Sequence, residues 1–327
     1  MAIAGTVAHP LSGLSPIVGE LVAQKISQLA AYKAAQLAAP LVSRRTRQGT
    51  YVKDGTYRGL DLSKAPNVAT AASVYSTEYP SQGVAYSTDT YDIARYTVDQ
   101  QDVPDAVLTE WLEVANVSVE SRVADLMAER VAAMHAYQTW QTLGATSNGF
   151  DGADPGNITS SSFDLIGLLQ TVRTTLIKEQ AWQPGTPLNV FGADDIQASL
   201  QKLDQVRARM VSGMSATNTY ATPDVLNAFF ADYLPGARYV PVTSYHKASS
   251  GTVTADLSGK LLFLPERSGW DNASFTIVPD GPSGVSIASI RSERIEAMPG
   301  TRLYGDAHMQ IKIANASGGY LAHGLLS

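Results

Sequence analysis

The sequence predicts an α+β fold, in which helices and strands occupy separate stretches of the chain. The first observation is a long helical pattern over residues 104–143, where apolar residues recur at intervals of three or four. The second is a stretch rich in Tyr, Thr and Ser over residues 73–98, a composition that favours extended structure. The third is the segment 308–314, where apolar and polar residues alternate as in a half-buried strand.

The long helical pattern is the most informative of these observations. Read as one helix, residues 104–143 extend about 60 Å at 1.5 Å per residue, which suits a flat building block better than a globular enzyme. Trp111, Val123 and Val131 fall on its apolar face, and we expect them to pack on the body of the protein. Truncation of Trp111 to alanine is expected to cost about 3–5 kcal/mol if the side chain is buried. The alternative is a pair of helices that breaks near residues 116–118.

The residues before the long helix predict two further features. An Ala-rich helical pattern over residues 16–39 stops at Pro40, because proline cannot continue a helix. The dipeptide Asp54-Gly55 predicts a tight turn between two short strands. A hairpin is therefore expected to follow the N-terminal arm.

Capping residues mark where later helices begin. Asp102 or Asp105 is expected to cap the long helix, and Ser162 the next one. Apolar periodicity then predicts helices at residues 163–176, 194–203 and 225–233, and strands at 188–191, 238–243, 260–264, 274–278, 287–295 and 308–314.

Composition limits the class of protein. With 327 residues, 44% of them hydrophobic and 17% charged, the chain is globular and long enough for one or two domains. It has no cysteine, which excludes disulfides and thiolate chemistry. The N-terminal residues lack a basic region followed by an apolar core, and no apolar run is long enough to span a bilayer. We expect a soluble, intracellular protein without a membrane partner.

Charge is distributed unevenly along the chain. The net charge of −6 argues against tight nucleic-acid binding. Residues 1–50 nevertheless hold five basic residues against Glu20 alone, a balance of +4, which leaves −10 for the rest of the chain. A basic arm precedes an acidic body.

Catalytic and cofactor signatures are missing from the sequence. We find no nucleophile elbow, zinc-protease motif, phosphate-binding loop or dinucleotide fingerprint. The five histidines share no ligand spacing, and His135 beside the apolar stripe is interpreted as a packed or hydrogen-bonded side chain. Asp194 and Asp195 are explained by capping. We expect no enzyme activity, metal or cofactor, although a site assembled from distant residues stays open.

The order of elements resembles a known family, the tailed-phage major capsid protein of the Hong Kong 97 type. The resemblance covers essentially the whole chain. It rests on the order of the elements and on their local composition rather than on a short motif. It runs through GTYVKDGTYRG to YSTDTYDIARY, then DVPDAVLTEWLEVANVSVESRVADLMAERV and LNVFGADDIQASLQKLDQVR, and finally GKLLFLPE, SFTIVP and HMQIKIANASGGYLAHGLL.

The resemblance implies a division of the chain into four parts. These are an N-terminal arm, an extended loop that overlaps a neighbouring subunit, a peripheral domain with a long spine helix, and an inserted axial domain. On this sequence they correspond to residues 1–48, 49–96, 97–157 with 284–327, and 158–283. Family members often carry a charged scaffolding segment before the arm. Here we expect scaffolding to be separate or already removed.

The resemblance also implies the function and the partners. We expect a coat protein that self-assembles through pentamers and hexamers into an icosahedral shell around phage double-stranded DNA, in a virion assembled in the host cytoplasm. Possible further partners are a scaffolding protein, a portal and a decoration protein, and the DNA is bound without sequence specificity. An encapsulin-like compartment holding a cargo enzyme and an α/β enzyme with a dispersed site remain the alternatives.

Basic residues are the candidates for contacts between subunits. Arg44, Arg45 and Arg47 in the arm are expected to dock on the acidic stretch 102–130 of a neighbour, to face DNA, or simply to solubilise the arm. The acids of that stretch are equally well explained as the solvated face of a helix. Candidates for ion pairs made by the extended loop are Lys53, Arg58 and Lys64.

Overall fold

The computed structural model describes residues 21–22, 24–44, 54–60, 86–92, 94–107, 110, 119–147, 149–208, 221–247, 251–266, 274–279, 288–295, 300–313 and 315–326. The helices in this part of the chain are α1 (Ala30–Ala38), α2 (Val119–Leu143), α3 (Leu165–Lys178), α4 (Asp194–Lys202), α5 (Asp204–Arg207) and α6 (Pro223–Tyr233). The strands are β1 (Leu41–Arg44), β2 (Asp54–Leu60), β3 (Tyr86–Asp92), β4 (Ala94–Pro104), β5 (Gly152–Ala153), β6 (Leu188–Ala193), β7 (Ala237–Val242), β8 (Tyr245–Lys247), β9 (Val253–Ala255), β10 (Leu261–Pro265), β11 (Ser274–Pro279), β12 (Ala288–Ile295), β13 (Gly300–Ile313) and β14 (Tyr320–Ala322).

Helix α2, the spine helix, has 25 residues and therefore a length of about 38 Å. Residues 105–107 and 110 are also helical. Residues 108–109 and 111–118 lie outside the described residues, so one continuous helix over 104–143 stays a prediction. The expected cap at Asp102 is wrong, because this residue lies in β4 and pairs with a strand 200 positions later in the chain.

The spine helix buries one broad face against the rest of the chain. Buried residues occur in adjacent pairs every four positions, so that both members of each pair point to the same side of the helix. One member of four successive pairs is alanine: Ala124, Ala128, Ala132 and Ala136. The small side chains suit close packing of the N-terminal segment: Ala124, Ala128 and Ala132 share a core with Val22, Ile26 and Tyr32, and Ala136 shares one with Ala34, Ala35 and Ala38 of α1.

The first sheet contains five strands. β13 is its longest member and pairs antiparallel with β4, β11 and β12, while β1 joins the edge of β11 in parallel. The spine helix and the N-terminal residues Val22, Ile26 and Tyr32 pack on this sheet through a core that includes Val123, Val131 and Leu303.

The second sheet also contains five strands, in the order β5-β14-β10-β6-β7. β10 runs antiparallel to β6 and β14, whereas β6 and β7 are parallel. Helices α3 and α6 contribute Leu169, Val172 and Phe230 to the core beside this sheet. A third group of buried residues, the junction core, joins the spine helix to the second sheet through Trp140 and Phe191.

Sheet membership differs from the expected domain boundaries at three strands. β11 belongs to the first sheet, although residues 158–283 were assigned to the axial domain. β5 and β14 belong to the second sheet, although residues 97–157 and 284–327 were assigned to the peripheral domain. The reason is that the chain crosses between the sheets several times, which local sequence patterns do not record.

The expected hairpin turn at Asp54-Gly55 is wrong. Both residues lie inside β2, which pairs antiparallel with β3 rather than with an adjacent segment. Asp54 faces Asp92 and Leu60 faces Tyr86 in this two-stranded ribbon. Pairing between distant segments has therefore overridden the local turn signal.

The observed helix starts agree only in part with the capping residues expected from the sequence. α3 begins at Leu165 after Asp164, so the expected cap at Ser162 is wrong. α6 does have a side-chain cap, because the Thr222 hydroxyl accepts a hydrogen bond from the Val225 amide at 3.4 Å. Among the described helices, none is both long enough and apolar enough to cross a membrane.

Candidate assembly surfaces

The structure describes four of the site residues predicted from the sequence, two in strands and two in the core of the spine helix. Arg44 is the last residue of β1, and Arg58 lies in β2 opposite Thr88. In the core, Val123 and Val131 of the spine helix are 1% and 0% exposed. The others lie outside the described residues: Arg45, Arg47, Lys53, Lys64 and Trp111.

The N-terminal segment docks on the spine helix of its own chain. Lys25 Nζ donates to the backbone carbonyl and to the hydroxyl of Ser121, both at 3.1 Å, and it forms an ion pair with Asp125. Val22 and Ile26, at 1% exposure each, anchor the same segment in the core. The contact therefore combines the burial of apolar side chains with an ion pair at its edge.

An aromatic contact continues this docking surface along α1. The rings of Tyr32 and His135 lie 4.9 Å apart between centroids at an interplanar angle of 60°. Gln36 Nε2 donates to the Tyr32 hydroxyl at 2.7 Å. Burial raises the pKa of the Tyr32 phenol and lowers the pKa of His135 to about 4, because the apolar surroundings disfavour the charged form of each group.

The acidic stretch 102–130 is partly neutralised within the chain. Arg302 donates from Nε to Asp102 Oδ1 at 2.7 Å and from a terminal nitrogen to Asp102 Oδ2 at 3.0 Å, a two-pronged arrangement between β13 and β4. These hydrogen bonds lower the pKa of the Asp102 carboxyl. Asp125 pairs with Lys25. Among the described acids of this stretch, Glu110 and Glu129 are exposed and can meet another molecule.

A second ribbon, β8 with β9, contacts the spine helix through β8. Tyr137 of the helix packs on the His246 ring at 4.8 Å, and His246 Nδ1 lies 2.7 Å from Asp256 Oδ1. The Tyr245 hydroxyl donates to Asp194 at 2.9 Å. These contacts fix the ribbon, whose Val253 side chain is 65% exposed.

Among the described residues, no group of three or more His, Asp or Glu side chains could hold a metal ion. Asp194 and Asp195 stand in the first turn of α4, where acids are favoured, but the N-cap is Ala193 and no side chain caps the helix. Asp195 accepts hydrogen bonds from the Ile196 amide and the Ser258 hydroxyl, at 2.7 Å and 2.5 Å. Both carboxylates therefore have structural partners.

Comparison with solved structures identifies the fold. A phage-related protein from Bordetella bronchiseptica RB50 superimposes with a TM-score of 0.65 at 10% identity, over 94% of this chain and 96% of that one. The capsid of the cyanophage P-SCSP1u gives a TM-score of 0.53 at 10% identity, over 88% of each chain. The virus-like particle from Pyrococcus furiosus gives 0.51 at 9% identity, over 94% of this chain and 98% of that one.

These likenesses confirm the expected α+β capsid fold of tailed-phage major capsid proteins. No protein-family model matches the chain. No curated protein matches it either. At about 10% identity the shared property is the three-dimensional arrangement, since little of the sequence is retained.

Sequence reasoning missed two residues, Lys25 and Trp140, that hold the spine helix to its surroundings. By sequence Lys25 is one basic residue of the arm, and its partner Asp125 lies 100 positions away. Trp140 falls near the end of the helical pattern but forms the link to the second sheet. The four-residue spacing of the alanines in the spine helix was the signal that could have revealed the docked helix α1.

Proposed function

We propose that the chain is a major capsid protein that self-assembles through pentamers and hexamers into an icosahedral shell enclosing phage double-stranded DNA. The observation that carries the proposal is a capsid fold extending over nearly the whole chain. A structural role is what the capsid fold suggests.

The β2–β3 ribbon supports assembly. An isolated two-stranded ribbon is at best marginally stable in water. Its strands are rich in Asp, Gly, Ser and Thr, which offer little apolar surface for a core of their own. Contact with a neighbouring copy would stabilise it, and Arg58 in β2 and the nearby Lys53 and Lys64 are the candidates for ion pairs there. Each exposed pair would contribute at most about 1 kcal/mol, repeated in every copy.

The two sheets suggest how the subunit is organised. The first sheet with the spine helix would form the peripheral domain, and the second sheet with α3 and α6 the axial domain. Residues 1–48 would act as arm and the ribbon as extended loop. The shell would be built in the host cytoplasm and become part of the virion. A scaffolding protein, a portal and a decoration protein would be its further partners, and no cofactor is needed.

Electron microscopy tests the proposed function directly. We expect the purified full-length chain to form closed icosahedral shells in negative stain, and particles from infected cells to contain nuclease-resistant double-stranded DNA. Shells that hold a protein cargo and no such DNA would contradict the virus and favour an encapsulin-like compartment. A chain that stays monomeric at high concentration would contradict both and favour a dispersed enzyme site.

The arm arginines are proposed to dock on acidic surface of an adjacent subunit. Arg44 ends β1 at the edge of the first sheet, so Arg45 and Arg47 follow directly from a fixed strand. In a neighbouring subunit, the exposed acids Glu110 and Glu129 offer the opposite charge. Such contacts between exposed charges weaken as salt screens them.

Replacing Arg44, Arg45 and Arg47 by glutamine is expected to prevent assembly of empty shells or make them fall apart at lower salt. Light scattering across a salt series measures this. The matched control replaces the exposed residues Arg173, Lys178 and Lys247 by glutamine, which removes the same charge from the body of the protein. Normal shells with unchanged salt dependence in the arm variant would overturn the docking proposal and leave a DNA-facing or solubilising arm.

A further inference from the structure

His135 is a buried titratable residue at the contact between two helices. It lies on the spine helix with 0% exposure, and its ring packs against Tyr32 of α1. Among the described residues, neither of its ring nitrogens has a hydrogen-bond partner. A buried polar side chain without a partner costs free energy, and a charged one costs far more. The neutral imidazole is therefore the form that this contact accepts.

The groups around His135 offer no compensating charge. From α1 the neighbouring polar groups are the Tyr32 hydroxyl and Gln36, and Lys33 is exposed. From β13, Leu303, Met309 and Ile311 are buried, whereas Arg302 and Lys312 fall at alternate positions on the opposite face.

The remaining charged groups near this contact have other partners or point to solvent. The Lys25–Asp125 pair lies ten residues, or about 15 Å, earlier along the spine helix. Glu129 is exposed, and Arg130 is half-buried and has its own interactions. His246 of β8 packs on Tyr137 and is paired with Asp256. Among these groups, no carboxylate is therefore free to form an ion pair with a protonated His135.

We propose that His135 makes the docking of α1 on the spine helix sensitive to acid, so that protonation of this one side chain releases the N-terminal helix. Release would let water reach the imidazolium and would break the ring contact with Tyr32. The inference concerns a contact within a single chain, and it holds whatever the chain assembles into.

The direction of the pH dependence follows from proton linkage. The pKa of His135 is lowered from 6.5 to about 4 in the docked form, so the released form binds more protons between these values. Docking is fully favoured above pH 6.5, weakens as the pH falls towards 4, and stays weakened below it. At pH 5 these two pKa values shift the equilibrium towards release by roughly 30-fold.

Hydrogen exchange measured by mass spectrometry tests the proposal on the full-length chain at pH 7.5 and pH 5. After correction for intrinsic exchange rates, amides of residues 30–38 should exchange roughly 30-fold faster at pH 5 than at pH 7.5. Amides of α3 serve as the internal reference. In His135→Phe, which fills the site with a ring that cannot be protonated, this loss of protection should disappear. The control His323→Gln should behave as the wild type.

The outcomes separate the proposal from general acid unfolding. An equal loss of protection in His135→Phe and wild type would overturn the proposal, as would full protection of wild-type α1 at pH 5. If the α1 amides of His135→Phe are already unprotected at pH 7.5, the variant cannot serve as the comparison. An NMR titration of wild-type protein labelled on its five histidines then takes its place. One resonance should then titrate well below 6.5, together with α1 exchange. Titration of all five near 6.5 would contradict the inference.

Discussion

Truncation of Trp140 to alanine is expected to destabilise the chain by about 3–5 kcal/mol. Trp140 is 2% exposed and packs on Phe191 of β6 with ring centroids 5.3 Å apart. It also lies among Leu143, Leu262 and Leu321 in the junction core. The truncation would leave a cavity where the spine helix meets the second sheet, so it weakens the connection between the two halves of the structure.

Urea unfolding of the unassembled chain, followed by circular dichroism, measures this loss. The matched control is Gln141→Ala, one position further on the same helix but exposed, which should change the free energy of unfolding by no more than about 0.5 kcal/mol. A loss below about 1 kcal/mol for Trp140→Ala would mean that the junction core does not hold the spine helix in place.

Replacement of Gly152 by alanine is expected to cost about 1–3 kcal/mol by overpacking a backbone contact. A Cβ atom at Gly152 would lie 1.9 Å from the carbonyl oxygen of Leu321, so β5 would have to move away from β14. That movement would strain the hydrogen bonds from the Leu321 amide to Asp151 and from the His323 amide to Ala153, at 2.9 Å and 3.2 Å. These bonds attach the C-terminal strand to the segment after the spine helix.

Thermal unfolding monitored by calorimetry measures the effect, with Ala153→Ser as the neighbouring control. Ala153 is exposed, so an added hydroxyl should be tolerated within about 0.5 kcal/mol. We also expect faster amide exchange at residues 320–323 in Gly152→Ala alone. Equal stability of the two variants would show that β5 can shift freely and that its pairing with β14 contributes little.

The sequence by itself determined the local elements and the fold class. Alternation at His308–Ile313 and periodicity at Val225–Tyr233 each reflect one buried face, and the structure has a strand and a helix there. The order of these elements was enough to recognise the capsid fold, because a fold of this kind is recorded in element order rather than in a short motif. The basic arm and acidic body are likewise plain in the sequence.

Only the tertiary structure decided which distant segments meet. Asp54-Gly55 reads locally as a turn, yet it lies in a strand because Tyr86–Asp92 pairs with it. Lys25 finds Asp125, and His135 becomes a fully buried ring without a partner, only when α1 docks on the spine helix. Local periodicity shows which face of an element is buried, but not what covers it. The partner is selected by packing and hydrogen bonding among residues that lie a hundred positions apart, and these contacts must outweigh the entropy of closing the long loops between them.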